Sequence, residues 1–242
     1  MINRSLLILS GSIFAIALFV DSPHCTAQEA PQRIVIESVK LNSSQSSFIN
    51  RYGVTREDVN SFERLLPGVA AVIPVRSFQT QVRYADRNSE AEIHGTTQEF
   101  SRKISPQNFE GRFLKKKDIV THQNIAVIGE GVARDLFGKR ISEAIGRNLK
   151  IGQDYFLIVG VVKDTGREFG QSVWIPITTM KSRFGDDQIL HRAGAFEATS
   201  YEISRVEVIL EDGVRPERTL RVIRLLLNAS HERDDYEIHP VK

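Results

Sequence analysis

The middle of the chain is a series of short apolar segments separated by glycine turns, and this pattern restricts the fold most. Asn124 to Gly129 is predicted to be a buried strand that leads into a helix from Gly131 to Phe137. Leu149 to Ile151 and Tyr155 to Val162 are predicted to be the arms of a hairpin. Val173 to Thr179 is predicted to be a further strand, bounded by a proline. Apolar runs of this length favour strands and helices that share one core.

Two β-α-β units flank this block. In the first unit, strand Arg33 to Val39 precedes a helix that Thr55 caps, with Asp58 as the capping-box partner. In the second unit, a helix lies between the strands Ile203 to Leu210 and Tyr236 to Val241. The apolar stripes of the two helices are formed by Val59, Phe62, Leu65 and Leu66 and by Leu220, Ile223 and Leu227. Because a helix between strands must cover a sheet face, we expect the two units to pack together.

The sequence therefore predicts an α+β fold with two lobes. Residues 33–92 and 203–242 are expected to form one discontinuous lobe. Residues 93–202 are expected to form a second, mixed α/β lobe that is inserted into the first.

Further segments have local signals. Val69 to Val75 and Gln79 to Tyr84 are predicted to be two separate strands, and residues 85–89 to be the turn that follows them. Phe169-Gly170 and residues 185–200 have weak periodicity, so they are predicted to be irregular loops.

The N-terminus has the pattern of a secretory signal peptide. Arg4 supplies a positive charge, Leu6 to Val20 is uncharged and mostly apolar, and Cys25-Thr26-Ala27 places small residues at the cleavage position. An apolar run of about 15 residues suits a signal peptide better than a membrane span, which needs about 20. We expect residues 1–27 to be a cleaved signal peptide and residues 28–242 to be the mature periplasmic chain. An uncleaved helix that anchors the chain in the inner membrane is the alternative.

Charge and cysteine content argue against a nucleic-acid-binding protein and against a protein stabilised by disulfides. The 32 Lys and Arg residues nearly balance the 30 Asp and Glu residues, and a net charge of +2 does not favour nucleic acid as a partner. Cys25 is the only cysteine and would be lost with the signal peptide. We therefore expect no disulfide in the mature chain, although the periplasm permits disulfides.

Two glycine motifs are similar to nucleotide-binding motifs but lack their essential residues. Gly129-Glu130-Gly131 follows a strand, yet Arg134 stands where a dinucleotide site needs a small residue for helix–strand packing. Gly138-Lys139 lacks the earlier glycine and the following Ser or Thr of a phosphate loop, because Ala133 and Arg140 occupy those positions. Each motif is predicted to be a helix boundary, so we expect no bound nucleotide and no cofactor.

The histidines of the mature chain do not have metal-ligand spacing, and no cysteine of the mature chain can join them. They are His94, His122, His191, His231 and His239. Each is predicted to be either a surface residue or a histidine with satisfied hydrogen bonds, and a metal at His231 beside Asp234-Asp235 is the weaker alternative. No nucleophile elbow of the hydrolase type is present. We therefore assign no catalytic, cofactor-binding or metal-binding residue.

Ordered segments along the chain resemble the periplasmic core domain of MacB/FtsX-type ABC transporter permeases. The matching segments are Leu66-Pro67-Gly68-Val69, Ile93-His94-Gly95-Thr96-Thr97, Gly111-Arg112-Phe113, Asn124 to Gly129, Leu136-Phe137-Gly138, Ala144-Ile145-Gly146-Arg147, Phe156 to Val162, Val173 to Thr179, and His231 through Tyr236. The resemblance extends from about Arg33 to the C-terminus. It implies a porter-like β-α-β outer lobe and an inserted lobe, in agreement with the two lobes predicted above.

The resemblance also implies a domain that binds partners and transmits motion without catalysis. In that family the domain follows one membrane helix and precedes three more, whereas this sequence has no phosphate loop and no later membrane span. We therefore expect an orphan copy, a non-catalytic exported interaction module that is accessory to an export or envelope complex. Its implied partner is a transporter permease or a periplasmic adaptor protein. A small periplasmic enzyme with an unrecognised site is the alternative.

Overall fold

The computed structural model describes residues 33–40, 50–163, 169–192 and 195–241. The predicted signal peptide, residues 1–27, lies outside the described residues. Within the described ranges, no helix combines the length and the apolar composition that crossing a membrane requires.

Helices and strands alternate along the described chain. The α-helices are α1 (Arg56–Leu65), α2 (Lys116–Val120), α3 (Glu130–Phe137), α4 (Ile177–Phe184) and α5 (Pro216–Ser230). The strands are β1 (Arg33–Ser38), β2 (Asn50–Arg51), β3 (Val69–Tyr84), β4 (Arg87–Thr96), β5 (Phe109–Gly111), β6 (Ile125–Gly129), β7 (Asn148–Ile151), β8 (Asp154–Val162), β9 (Ser172–Pro176), β10 (Asp187–Arg192), β11 (Ala195–Ser200), β12 (Arg205–Leu210) and β13 (Tyr236–Val241). Short 3-10 helices cover Gln98–Lys103, Pro106–Asn108 and Ile141–Ala144.

Most of the strands belong to one large mixed sheet. Its strand order is β13-β1-β12-β3-β4-β9-β6-β8-β5, and β7 pairs with both β3 and β8. The β4–β9 and β6–β8 pairs are parallel, whereas the remaining pairs of this sheet are antiparallel. A second sheet has the order β10-β11-β2. Helices that pack on mixed, largely antiparallel sheets confirm the predicted α+β class.

The first and last β-α-β units share one apolar core, as predicted. The predicted capping box of α1 is present, since the Thr55 hydroxyl accepts from the Asp58 N–H and the Asp58 carboxylate accepts from the Thr55 N–H. The core includes Phe62 of α1, Ile223 of α5 and Ile36 of β1, each fully buried. The two helices therefore cover the same part of the large sheet.

Two other cores lie around the middle of the chain. One is formed by α3, α4 and the predicted β7–β8 hairpin, and it contains Ile128, Leu136 and Phe156. The other is aromatic and contains Phe100, Phe113 and Trp174. Trp174 is fully buried, so it is a core residue.

The predicted break in the third strand is wrong, because β3 is one strand of 16 residues. Its first part pairs with β12 and its second part with β4, from Val75↔Thr96 to Tyr84↔Arg87. The polar residues in its middle still have partners, since the Ser77 N–H donates to the Ser204 hydroxyl at 2.8 Å. The turn that follows is confined to Ala85-Asp86 and does not extend to residue 89.

Two other predicted segments need correction. The strand predicted over 173–179 ends at Pro176, and Ile177 begins α4. Residues 185–200 were predicted to be irregular, but β10 and β11 form an antiparallel ladder from Asp187↔Ser200 to Arg192↔Ala195. Hydrogen bonds between backbone groups form this ladder. The pattern of apolar side chains does not predict such bonds, so the ladder was not identified from the sequence. Phe169-Gly170 has no regular structure, as predicted.

A polar cleft as the candidate functional site

A polar cleft of about 470 Å³ lies where the start of α1, the end of α5 and the ends of β10 and β11 meet. Its lining residues are Tyr52, Gly53, Thr55, Asp186, Asp187, Ser200, Tyr201, Glu202, Ser230, His231 and Asp235. These residues come from both ends of the chain, so tertiary packing assembles the cleft.

His231 connects two carboxylates at the base of the cleft. Its Nδ1 lies 2.8 Å from Asp235 Oδ1 and its Nε2 lies 3.0 Å from Asp58 Oδ2. The side chain of His231 is only 7% exposed and that of Asp58 only 5%. A ring nitrogen that carries a proton donates to the carboxylate that it faces. We call the group Asp58, His231 and Asp235 the histidine bridge.

The histidine bridge joins three elements. Asp58 belongs to the first turn of α1, His231 follows α5, and Asp235 precedes β13. Asp235 Oδ2 also accepts the Gly53 N–H at 2.8 Å. The bridge therefore fixes the end of α5 against the start of α1.

Hydrogen bonds stabilise the ionised form of Asp58. Burial alone would raise the pKa of this carboxyl, but hydrogen bonds from Thr55, Ser230 and His231 outweigh burial and lower the pKa below its usual value. The Ser230 hydroxyl donates to Oδ1 at 2.7 Å, while the Thr55 N–H donates to Oδ2. Both oxygens of Asp58 are thus occupied by protein groups.

Arg56 forms a second ionic group at the rim of the cleft. Its guanidinium donates to both oxygens of Asp186, at 2.9 and 2.5 Å, and lies 3.1 Å from Glu202. Burial raises the pKa of Asp186, but the hydrogen bonds and charge of Arg56 outweigh burial and lower it. A two-pronged Arg–carboxylate pair of this kind has a defined geometry. It holds the segment before β10 against the N-terminus of α1.

Two tyrosines and a buried arginine form the third part of the cleft. The rings of Tyr52 and Tyr201 are 5.6 Å apart, and the Arg76 guanidinium lies 5.4 Å from the Tyr201 ring centre. Arg76 is 1% exposed and donates to the Gly185 carbonyl. The Tyr201 hydroxyl donates to the Ser77 carbonyl at 2.8 Å, and burial raises the pKa of Tyr201. These contacts join the cleft to the middle of β3.

The structure supports the interpretation of His231 as a histidine with satisfied hydrogen bonds. Its partners are Asp58 and Asp235, whereas Asp234 is exposed. In the described part of the chain, no three His, Cys, Asp or Glu side chains are arranged to hold a metal ion. Sequence reasoning did not identify Asp58 as a partner of His231. The spacing of four between His231 and Asp235 was the one local signal.

The other histidines have different environments. His94 is buried, with Nδ1 2.8 Å from the Ser77 hydroxyl and Nε2 3.3 Å from the Ser172 hydroxyl. His122 and His239 are exposed. The side chain of His191 lies outside the described residues.

The two glycine motifs are helix boundaries, as predicted. Gly129 precedes α3, and the Val132 N–H donates to the Gly170 carbonyl at 3.1 Å. A Cβ atom on Gly129 would collide with the Phe169 carbonyl oxygen. Backbone therefore covers the start of α3, where a phosphate would have to bind. Gly138 ends α3 with a φ of 67°, in the left-handed region that glycine favours.

A second cavity of about 380 Å³ lies at the turn between β3 and β4. Tyr84 and Phe137 are part of its lining, with ring centres 4.4 Å apart. Arg87 and Arg147 also line it, and Arg140 there pairs with Glu143 at 3.4 Å. This cavity is separate from the polar cleft, because the two share no lining residue.

Comparison with known families gives one match that covers most of the chain. The family described as MacB-like periplasmic core domain matches residues 6–225. The "Macrolide export ATP-binding/permease protein MacB" of Pasteurella multocida is 27% identical over 176 residues, which are 72% of this chain and 25% of that protein. The "Pyoverdine export ATP-binding/permease protein PvdT" of Pseudomonas aeruginosa is 26% identical over 175 residues, 69% of this chain and 26% of that protein. The chain thus spans about a quarter of the length of these curated relatives.

Solved structures show the same fold. The periplasmic region of MacB from Actinobacillus actinomycetemcomitans superposes with a TM-score of 0.65 at 16% identity, covering 86% of this chain and 88% of that one. The extracellular domain of the noncanonic ABC-type transporter YknZ from Gram-positive bacteria has the same TM-score at 19% identity, covering 86% of this chain and 99% of that one. At these identities the likeness concerns the fold alone.

Proposed function

This chain belongs to the family of MacB-like periplasmic core domains, and from that membership we propose that it is a non-catalytic interaction module outside the cytoplasm. The module is accessory to an export or envelope complex, and its partner is a transporter permease or a periplasmic adaptor protein. The family match over residues 6–225 is the observation that carries the proposal.

The chemistry of the polar cleft supports binding rather than catalysis. A general acid or base needs a free position from which a proton can reach the substrate. In the histidine bridge, both nitrogens of His231 and both oxygens of Asp58 already contact protein groups. The bridge thus acts as a structural connection between α1, α5 and β13.

An exposed apolar strip supports a protein partner. Tyr155 and Leu157 are 59% and 42% exposed and lie two positions apart on β8, so they point to the same side of the sheet. Contiguous exposed apolar side chains often mark a contact with another protein. The strip belongs to the β7–β8 hairpin, away from the polar cleft.

Site-specific photocrosslinking in native cells tests the proposal. A photoreactive phenylalanine analogue at Tyr155 is expected to link the chain to a permease or an adaptor, which mass spectrometry identifies. The same analogue at Val120, an exposed apolar residue at the end of α2, is the matched control and is expected to give no such product.

Two results would contradict the proposal. One is the absence of any transporter component among the products from Tyr155. The other is turnover of a substrate by the purified full chain that a single polar change, such as His231→Gln, abolishes while the fold is retained. The second result would identify the chain as an enzyme.

Export across the inner membrane is part of the proposal. We propose that the signal peptide is removed after Ala27, so that the mature chain reaches its partner by diffusion. N-terminal sequencing of the native protein is expected to start at Gln28. A chain that retains Met1 in the membrane fraction would show instead that the N-terminal segment is an anchor.

A further inference from the structure

The outward side of α5 carries a concentrated positive charge. Arg218, Arg221 and Leu225 follow the spacing i, i+3 and i+7, so they share one side of the helix. Arg215 and Arg224 flank them, and all four arginines are exposed. Leu225 is 70% exposed, which makes it the most exposed of the large apolar residues that the structure describes. We call Arg215, Arg218, Arg221, Arg224 and Leu225 the arginine face.

The arginines of this face are not neutralised by a carboxylate within the described part of the chain, although the charge of Arg224 acts on Tyr236. None of them forms a hydrogen bond or an ion pair there, in contrast to Arg56 with Asp186. The one carboxylate of α5 is Glu217. Since the whole chain has a net charge of only +2, the positive charge of this face is local.

Helix stability does not account for the two arginines at the N-terminal end of α5, whereas Arg221 lies in the helix interior, four residues after Glu217, where arginine is favourable. Arg215 is the N-cap residue of α5 and Arg218 lies in its first turn. The N-terminal end of a helix carries partial positive charge, so cations there are unfavourable and carboxylates are favourable. The charges of Arg215 and Arg218 are therefore available to an anion outside the domain.

The shape of the arginine face indicates what it contacts. From Arg215 to Arg224 the charges extend along about 13 Å of helix. Neither the polar cleft nor the second cavity has any of these arginines in its lining. Charges displayed along a convex helix surface suit an extended anionic surface better than a small ligand. The apolar face of α5 is buried in the core, and Leu225 is the large apolar side chain that the arginine face itself exposes to a headgroup layer.

We propose that the arginine face binds anionic phospholipid headgroups at the membrane surface. Arginine pairs with phosphate through two parallel hydrogen bonds, while Leu225 can enter the headgroup layer. Each basic residue near an anionic bilayer strengthens binding by about 5-fold. This inference goes beyond the proposed function, because it requires neither a permease nor an adaptor.

Vesicle binding by the proposed mature chain, which starts at Gln28, tests the inference. Wild-type protein is expected to bind vesicles of phosphatidylcholine mixed with phosphatidylglycerol more tightly than vesicles of phosphatidylcholine alone, and added salt is expected to reduce that preference. The double variant Arg218→Glu/Arg221→Glu is expected to lose about 25-fold or more of the binding to anionic vesicles. Because the mature chain lacks Leu6 to Val20, that apolar run does not contribute to binding.

A matched variant controls for net charge. Lys116→Glu/Lys117→Glu makes the same change in charge on the exposed surface of α2 and is expected to bind like the wild type. The α5 variant is expected to fold, because a glutamate in the first turn of a helix is favourable. If its thermal unfolding matches that of the wild type, a loss of vesicle binding is not caused by unfolding. Equal binding of wild type to both kinds of vesicle, or an equal loss in the α2 variant, would overturn the inference.

Discussion

At the scale of single residues, His94 is held in its neutral form. Its ring is stacked near Phe100 and Trp174, with centres 6.5 and 6.0 Å away. Burial, together with the nearby charges of Arg205 and Lys103, lowers the pKa of His94 from 6.5 to about 3. The serine hydroxyls on either side replace the water that a neutral imidazole would bind.

This environment predicts a pH-dependent stability. Because the folded pKa is below the unfolded one, the unfolded chain binds an additional proton as the pH falls below 6.5. The contribution of His94 to stability is therefore present above about pH 6.5 and lost as the pH falls toward about 3. In urea unfolding, the free energy is expected to fall by about 1.4 kcal/mol per pH unit between about pH 6 and pH 4.5.

The variant His94→Asn tests whether His94 causes this pH dependence of the free energy of unfolding. His94→Asn removes the titrating ring, so most of the decrease in this pH range is expected to disappear, and the part that remains near pH 4.5 comes from carboxyls such as Asp58 and Asp186, whose pKa values are lowered in the folded chain. His239→Asn removes an exposed histidine and is expected to keep the slope. A slope of the same size in His94→Asn would show that other groups cause it.

The contacts of Asp58 show which kind of contact can be predicted from the sequence and which cannot. The capping box of Thr55 and Asp58 was predictable, because its two members are three residues apart. The contact of the same Asp58 with His231 spans 173 residues and exists only after α1 and α5 pack together. The sequence predicts that the two β-α-β units pack together, but it does not specify which residues of α1 and α5 meet, so the contact between Asp58 and His231 could not be predicted.

At the scale of elements, α1 has a sharply divided surface. Phe62 is fully buried in the core between α1, α5 and the sheet, whereas Leu65, three residues later, is 57% exposed. Phe62→Ala is expected to lower the free energy of unfolding by about 3–5 kcal/mol, because it leaves a cavity that the core cannot fill. Leu65→Ala is the control and is expected to change it by less than about 0.5 kcal/mol. Urea unfolding measures both, and similar costs would contradict this packing.

The spacing of apolar residues predicted the helices and strands that bury one face, and it did not predict those that lack a regularly buried face. The β7–β8 hairpin and α3 were predictable because their buried residues recur at regular intervals. The β10–β11 ladder was missed, since its pairing depends on the backbone. The end of β9 was also missed, because Pro176 precedes a helix whose first residues, Ile177 and Thr178, are equally common in strands.

At the scale of the whole molecule, two of the three apolar cores lie largely within one predicted lobe each, whereas the aromatic core joins Ile73 and Ile209 to Trp174 and so spans both lobes. Ile34, Ile36, Val206 and Ile223 share a core that lies within residues 33–92 and 203–242. Ile128, Leu136 and Phe156 belong to a different core, most of whose members lie within residues 93–202. Strand β4 crosses the predicted boundary at residues 92 and 93. The division into two lobes therefore remains a prediction, and it states that each lobe unfolds as a cooperative unit of its own.

Hydrogen exchange on two core variants tests that division. Ile36→Ala and Ile128→Ala each remove a fully buried side chain, and each is expected to cost about 2–5 kcal/mol. If the lobes open as separate units, Ile36→Ala lowers amide protection mainly in β1, β12 and α5, while Ile128→Ala lowers it mainly in β6, β8 and α3. A continuous sheet opposes this separation, since opening either lobe breaks the β3–β4 ladder. Equal loss of protection in both lobes, from either variant, would show that the sheet makes the domain a single cooperative unit and that the two-lobe division is wrong.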